Sequence, residues 1–208
     1  MPCIKWGSWL CFCSRYIDVF EPVKRYPYMS SDKFQEFNTQ FEYSTGNMIN
    51  SYQVKLFDKA VSNKFVMVNT VRSSGTTTFL AEYVKWRKQP TLYLVHTNKY
   101  AEDLSREHFG GKGTSKWSDG DIHVKEPNRV EPHESRGKYN IIVIDGMNLV
   151  KDQDWATFFS LTFPYIQSRP FQMIISGAPA GPGKYFQALY NVMESILNPQ
   201  KTPPKIGK

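Results

Sequence analysis

The stretch NTVRSSGTTTFLAEYVKW, Asn69–Trp86, decides the fold. It follows the apolar run KFVMVN, and behind its glycine Phe79, Leu80, Tyr83 and Val84 recur at the spacing of one helical face. Strand, tight turn and helix therefore follow in order, and Gly75 lets the backbone approach a ligand closely. Such a turn wraps phosphate because its amides converge while the helix N-terminus carries partial positive charge. Ser74, Gly75 and Thr76 make the turn; Thr77 or Thr78 is placed to put a hydroxyl on Mg²⁺, and Arg72 to reach phosphate from the loop's opening. A phosphate loop normally carries a lysine bridging the outer phosphates, and Thr76 stands in its place.

The same rhythm continues outward. TLYLVHT, Thr91–Thr97, reads as a second strand, with its helix from Tyr100 to Phe109. From Gly110 to Lys138 the chain turns Gly-, Pro- and charge-rich, which predicts a surface excursion with a short strand at DIHV. YNIIVIDG is a continuous apolar run of the kind buried on both faces of a parallel sheet. It ends in Asp145, where ligands gather in open α/β sheets and a carboxylate can hold Mg²⁺. A helix from about Asp154 to Gln167, the strand FQMIISGAP and a last helix striped by Phe186, Leu189, Val192, Met193, Ile196 and Leu197 complete the core. Upstream, Ser51–Ser62 has helical spacing, whereas residues 1–45 are aromatic-rich and irregular, interrupted by Pro22 and Pro27. The expected organisation is an N-terminal extension packed on the core (1–45), one domain (46–198) and a tail (199–208). Strands alternating with helices predict an α/β fold with a mostly parallel sheet and helices on both faces.

A chain of 208 residues suits one such domain. Lys and Arg number 26 against 19 Asp and Glu, and the net charge of +7 favours an anionic partner without naming one. Cys3, Cys11 and Cys13 lack the paired spacing of a disulfide framework or zinc site, so a reducing, intracellular setting is expected. The apolar patch WLCFC, Trp9–Cys13, is too short to span a membrane. His96, His108, His123 and His133 show no i, i+4 pairing and read as structural or solvated rather than as ligands.

Five elements in this order resemble the N-terminal ATPase domain of the large terminase, the DNA-packaging motor protein of tailed bacteriophages. SYQVKLF is similar to that family's adenine-binding element, with Tyr52 to stack on the base and Gln53 to hydrogen-bond it. NTVRSSGTTT resembles its phosphate loop: Arg72, Gly75, Thr77 and Thr78 match, and Thr76 departs. KWSDGDIHV looks like its Trp- and Gly-containing hairpin, and ESRGKYNIIVIDG like its Arg-Gly element and Mg²⁺-binding strand, matching at Arg136, Gly137 and Asp145. IISGAPAGPGKYFQALY is similar to its coupling segment, with Ser176, Pro179 and Gly181 in place. The resemblance spans about residues 50–195.

That resemblance implies a three-layer P-loop NTPase-like (ASCE/RecA-like) fold, ATP and Mg²⁺ as cofactors, Thr77 and Asp145 as metal ligands, and coupling through Arg136 and Ser176. It also implies double-stranded DNA, or a phage or host protein, as partner, an oligomer, and action in the host cytoplasm during infection or in the virion. No counterpart of the terminase nuclease domain is expected before Lys208. Gly146 replaces the glutamate that orients water in hydrolysing members. Losing a positioned base removes about 10²–10⁴ in rate, and losing an electrostatic donor about 10²–10³. Three readings follow: a binding or regulatory module with weak or absent ATP hydrolysis; an active packaging-type ATPase using Arg72 for the lysine; and a DNA-binding module using Lys112, Lys116, Lys125, Arg129, Arg136 and Lys138.

Overall fold

The structure, a computed structural model, describes residues 31–70, 73–110, 116–117, 120–178 and 184–189. The three cysteines, Pro22, Pro27, Arg72, Lys112, Pro179, Gly181, Val192, Met193, Ile196, Leu197 and the tail lie outside them.

Two helices precede the first strand. Helix α1 (Asp32–Thr45) is opened by the Ser31 side chain, which accepts from the Phe34 amide, and closed by Gly46 in the left-handed conformation. Its Phe34, Phe37 and Phe41 lie on one buried face. The expectation of an irregular segment up to residue 45 is therefore corrected for residues 32–45. Helix α2 (Ser51–Ser62) starts with a capping box in which the Asn50 side chain accepts from the Gln53 amide while the Gln53 side chain accepts from the Asn50 amide.

Strand β1 (Phe65–Asn69) leads through the glycine turn into α3 (Thr76–Arg87). Strand β2 (Thr91–Leu94) and helix α4 (Asn98–His108) follow, then a hairpin of β3 (Lys116–Trp117) and β4 (Gly120–Lys125). The short α5 (Pro132–Ser135) precedes β5 (Tyr139–Ile144). Next come α6 (Asp152–Thr157), a π-helical turn (Phe158–Thr162), α7 (Phe163–Ile166), β6 (Gln167–Gly177) and a helical turn over 185–189. The interrupted helix has a local cause. Pro164 has no amide to donate to a carbonyl four residues back, and the ladder widens there, with Phe163 bonding five residues back to Phe158.

The sheet order is β1-β6-β5-β2-β4-β3, parallel except for the β3–β4 hairpin. β4 pairs along its length with β2, and Ile122 and Val124 are buried. The predicted surface excursion over Gly110–Lys138 is corrected accordingly: it contributes a full strand to the sheet. DIHVK is short and presents only one apolar face, so its composition hides its place.

Alternate residues of each strand face opposite layers. Tyr93, Ile141, Val143 and Ile174 pack with α1–α4, whereas Leu92, Leu94, Ile142, Ile144, Met173 and Ile175 pack with Trp155, Phe158, Ile166 and Phe186. The sheet is thus covered on both faces, as expected. The first layer is tied by rings around Phe37, whose centroid lies 4.9 Å from Phe57, 5.4 Å from Phe79 and 5.7 Å from Trp86.

Glu82, buried on α3, joins this layer electrostatically. Burial opposes its ionisation, but His108, Lys85 and Ser44 outweigh burial and hold its carboxyl below the usual carboxylate range. A depressed folded-state pKa contributes stability that is present above the unfolded value of about 4.3 and is lost as pH falls through the folded value. Stability measured by urea melts is expected to drop between about pH 5 and 3, and Glu82→Gln is expected to flatten that drop. An unchanged slope in the variant would place the acid sensitivity elsewhere.

Candidate functional site

Parallel register brings the C-terminal ends of the strands to one rim: Asn69 pairs with Gly177, Ile144 with Ile175, and Leu94 with Ile144. The turn after β1, Asp145 after β5 and His96 after β2 therefore meet. β6 lies between the loop strand and the Asp145 strand. A cavity of about 800 Å³ opens there, lined among others by Ser74, Gly75, Thr76, Thr77, Asp145 and Gly146. That volume lies within the range of small-molecule sites, about 300–1,000 Å³.

The turn is built from residues few others could replace. Ser73 and Gly75 both adopt left-handed backbone, with φ of 63° and 70°. A Cβ on Gly75 would sit 2.7 Å from the Gln53 Nε2. That amide donates to the Gly75 carbonyl at 3.1 Å, and the Asn50 amide donates to the Ser74 carbonyl at 3.4 Å. The capped start of α2 thus holds the turn from behind. The Ser74 and Thr76 hydroxyls lie 2.7 Å apart, and Thr76 donates to the Tyr52 hydroxyl at 3.4 Å. At the position of the expected lysine the side chain is short and bonded inward, with no charge to offer a phosphate.

Asp145 is held from two sides, with Ser176 Oγ donating to its Oδ1 at 2.6 Å and the Tyr93 hydroxyl to its Oδ2 at 3.1 Å. Burial, with the Asp145 charge beside it, pushes the Tyr93 phenol well above its ordinary range, so Tyr93 stays a neutral donor. The Gly146 amide donates to Ser176 Oγ at 3.2 Å. Ser176, expected from the resemblance to couple, is fully buried and touches the carboxylate directly. Gly146 has φ of 73°, and a Cβ there would meet Leu149 Cδ1 at 3.2 Å.

Asp145 and Thr77 line the same cavity, which suits Mg²⁺, an ion bound through one or two carboxylates, water and substrate phosphates rather than an all-protein cage. Among the described residues no group of three or more His, Cys, Asp or Glu side chains could hold a metal ion by itself.

Other expected site residues are placed differently. Tyr52 and Gln53 are not among the cavity-lining residues. Gln53 is 4% exposed beneath the turn, and the Tyr52 hydroxyl donates to the Asn69 carbonyl at 3.4 Å. Thr78, on α3, is also outside the lining, and Arg72 falls outside the described residues. Arg136 faces a separate groove with Pro132, His133, Leu161 and Tyr165. Conversely, His96, Tyr100 and Asn148 line the cavity without having been singled out as ligands. Their signal was positional: His96 lies two residues beyond a strand end, and Asn148 three beyond Asp145.

A parallel sheet with a strand-turn-helix phosphate loop, and a carboxylate at the rim two strands away, defines an α/β fold of the P-loop ATPase type. Solved structures with this arrangement resemble the chain at low sequence identity. A hypothetical ATP-dependent RNA helicase from Sulfolobus tokodaii is 14% identical with a TM-score of 0.53, over 74% of this chain and 54% of that one. The DUF1998 helicase MrfA, bound to DNA and AMPPNP, is 15% identical with a TM-score of 0.53, over 75% and 28%. The HK97 bacteriophage large terminase is 9% identical with a TM-score of 0.52, over 84% and 45%. The chain thus spans between about a quarter and about half of their lengths. No family model and no curated protein sequence matches it. Among the described residues no helix is long and apolar enough to cross a membrane.

Proposed function

We propose that the chain is a phage-encoded, terminase-like module that binds a nucleoside triphosphate with Mg²⁺, hydrolyses it weakly or not at all, and acts by binding a partner in the host cytoplasm or virion. The observation that carries this reading is the makeup of the cavity. Turn amides, the N-terminus of α3, Thr77 and Asp145 are gathered there, and Asp145 is the only carboxylate among the described lining residues. Phosphoryl transfer needs charge neutralised on the phosphates and a water oriented for attack. Thr76 and Gly146 supply neither.

Asp145 would hold the metal, kept in place by Ser176 and Tyr93, while the amides of the turn bind phosphate oxygens. Mg²⁺ supplies charge on the outer phosphates when bound. The partner is a phage or host protein, or DNA; the +7 net charge and the DNA held by one helicase of this fold favour the nucleic acid. Phosphate release measured with Mg²⁺-ATP is expected at background. Turnover in the ordinary enzyme range of about 1–10³ s⁻¹, abolished by Asp145→Ala, would favour the active-ATPase reading instead.

Restoring the missing acid is not expected to restore activity. Gly146→Glu must place a side chain on left-handed backbone, costing about 1–2 kcal/mol, and push Leu149 aside. The variant is expected to be less stable in a thermal melt and to release phosphate no faster than wild type. Recovery of turnover in this single variant would show that the backbone at 146 still accommodates a catalytic glutamate.

A further inference from the structure

The rings that face the cavity are not those of the adenine-binding element. His96, just beyond β2, and Tyr100, in the first turn of α4, both line it, with ring centroids 4.8 Å apart and planes inclined by 33°. Tyr100 is fixed beside the turn by a side-chain hydrogen bond with Thr77, a residue of the first turn of α3. Tyr52 and Gln53 lie behind the turn, their polar atoms engaged by Asn69, Thr76, Asn50 and Gly75. A base edge seated in the cavity would not meet the Gln53 amide.

Resting on the nucleotide-binding reading above, we infer that the cavity holds the base by stacking on the His96–Tyr100 pair and therefore does not select among nucleobases. Stacking is tolerant because every base presents a π-face. Selectivity between adenine and guanine needs donors and acceptors aimed at the base edge, and the residue types suited to that task here are turned into the protein. Burial lowers the His96 pKa below the ordinary imidazole value, so its ring is neutral near pH 7.

The test is a calorimetric titration of the whole chain with Mg²⁺ and ATP, GTP, UTP or inorganic tripolyphosphate. The three nucleotides are expected to bind within about tenfold of one another. Tripolyphosphate is expected to bind more weakly by the stacking contribution, roughly 5- to 150-fold. His96→Ala and Tyr100→Leu should each bring the nucleotides toward tripolyphosphate, while Tyr100→Phe, which keeps the ring, should behave as wild type. A preference for ATP over GTP above about 100-fold, or nucleotide affinity indifferent to both ring-removing variants, overturns the inference and leaves the nucleotide-binding reading standing. Absence of binding by all four ligands overturns both.

Discussion

Phe37→Ala is expected to destabilise the protein by about 3–5 kcal/mol, the usual cost of emptying a buried aromatic site. Phe37 belongs to α1, yet its ring is fully buried and stacks on Phe57 of α2 with an interplanar angle of 17°. It also meets Phe79 and Trp86 of α3 edge-on. Removing it leaves a cavity among three helices that cannot close without moving α3, the helix that carries the phosphate turn. Aromatic pairs contribute about 0.5–1.5 kcal/mol beyond the area they bury, so the cost should sit at the upper end of the range. The midpoint of a urea melt reads it directly. A loss below about 1 kcal/mol, the level of a surface substitution rather than a core one, would mean that α1 is not part of the core.

Gly75→Val is expected to have the largest effect on the site. A β-branched residue at φ of 70° is strained on its own, by about 1–2 kcal/mol. Its Cβ would also displace the Gln53 amide, which serves both the turn and the cap of α2. One substitution therefore disturbs the loop's shape, its support and the start of the preceding helix. The thermal midpoint should fall, and the stabilisation that a native-state ligand confers should vanish for Mg²⁺-ATP. A variant that melts lower but keeps the full ATP shift would separate the turn from the binding site.

The elements legible in the sequence are those whose signal is local. KFVMVN, the glycine turn and the stripe Phe79, Leu80, Tyr83, Val84 specify strand, turn and helix within twenty residues, and β1 and α3 form there. YNIIVID is apolar on both faces because β5 is flanked by β6 and β2 and covered by both helical layers. Helix α1 was hidden by its neighbours: Phe34, Phe37 and Phe41 have helical spacing, but the prolines and aromatic residues before them blur it. β4 was hidden by its polarity.

The site divides in the same way. Gly75 and Asp145 announce themselves by type and position. The Tyr93 and Ser176 bonds to Asp145, the burial of Gln53 and the pairing of His96 with Tyr100 arise only when distant segments meet at the sheet's rim. No spacing in the chain encodes them.

The central claim is that this rim still grips nucleotide phosphates after losing the groups that break them. Titration of ATP into the protein with Mg²⁺, followed by calorimetry, tests it most directly. Saturable one-to-one binding, weakened when Asp145 is changed to Asn and unaccompanied by phosphate release, is the expected result. A flat titration at millimolar ATP with a correctly folded protein would contradict it.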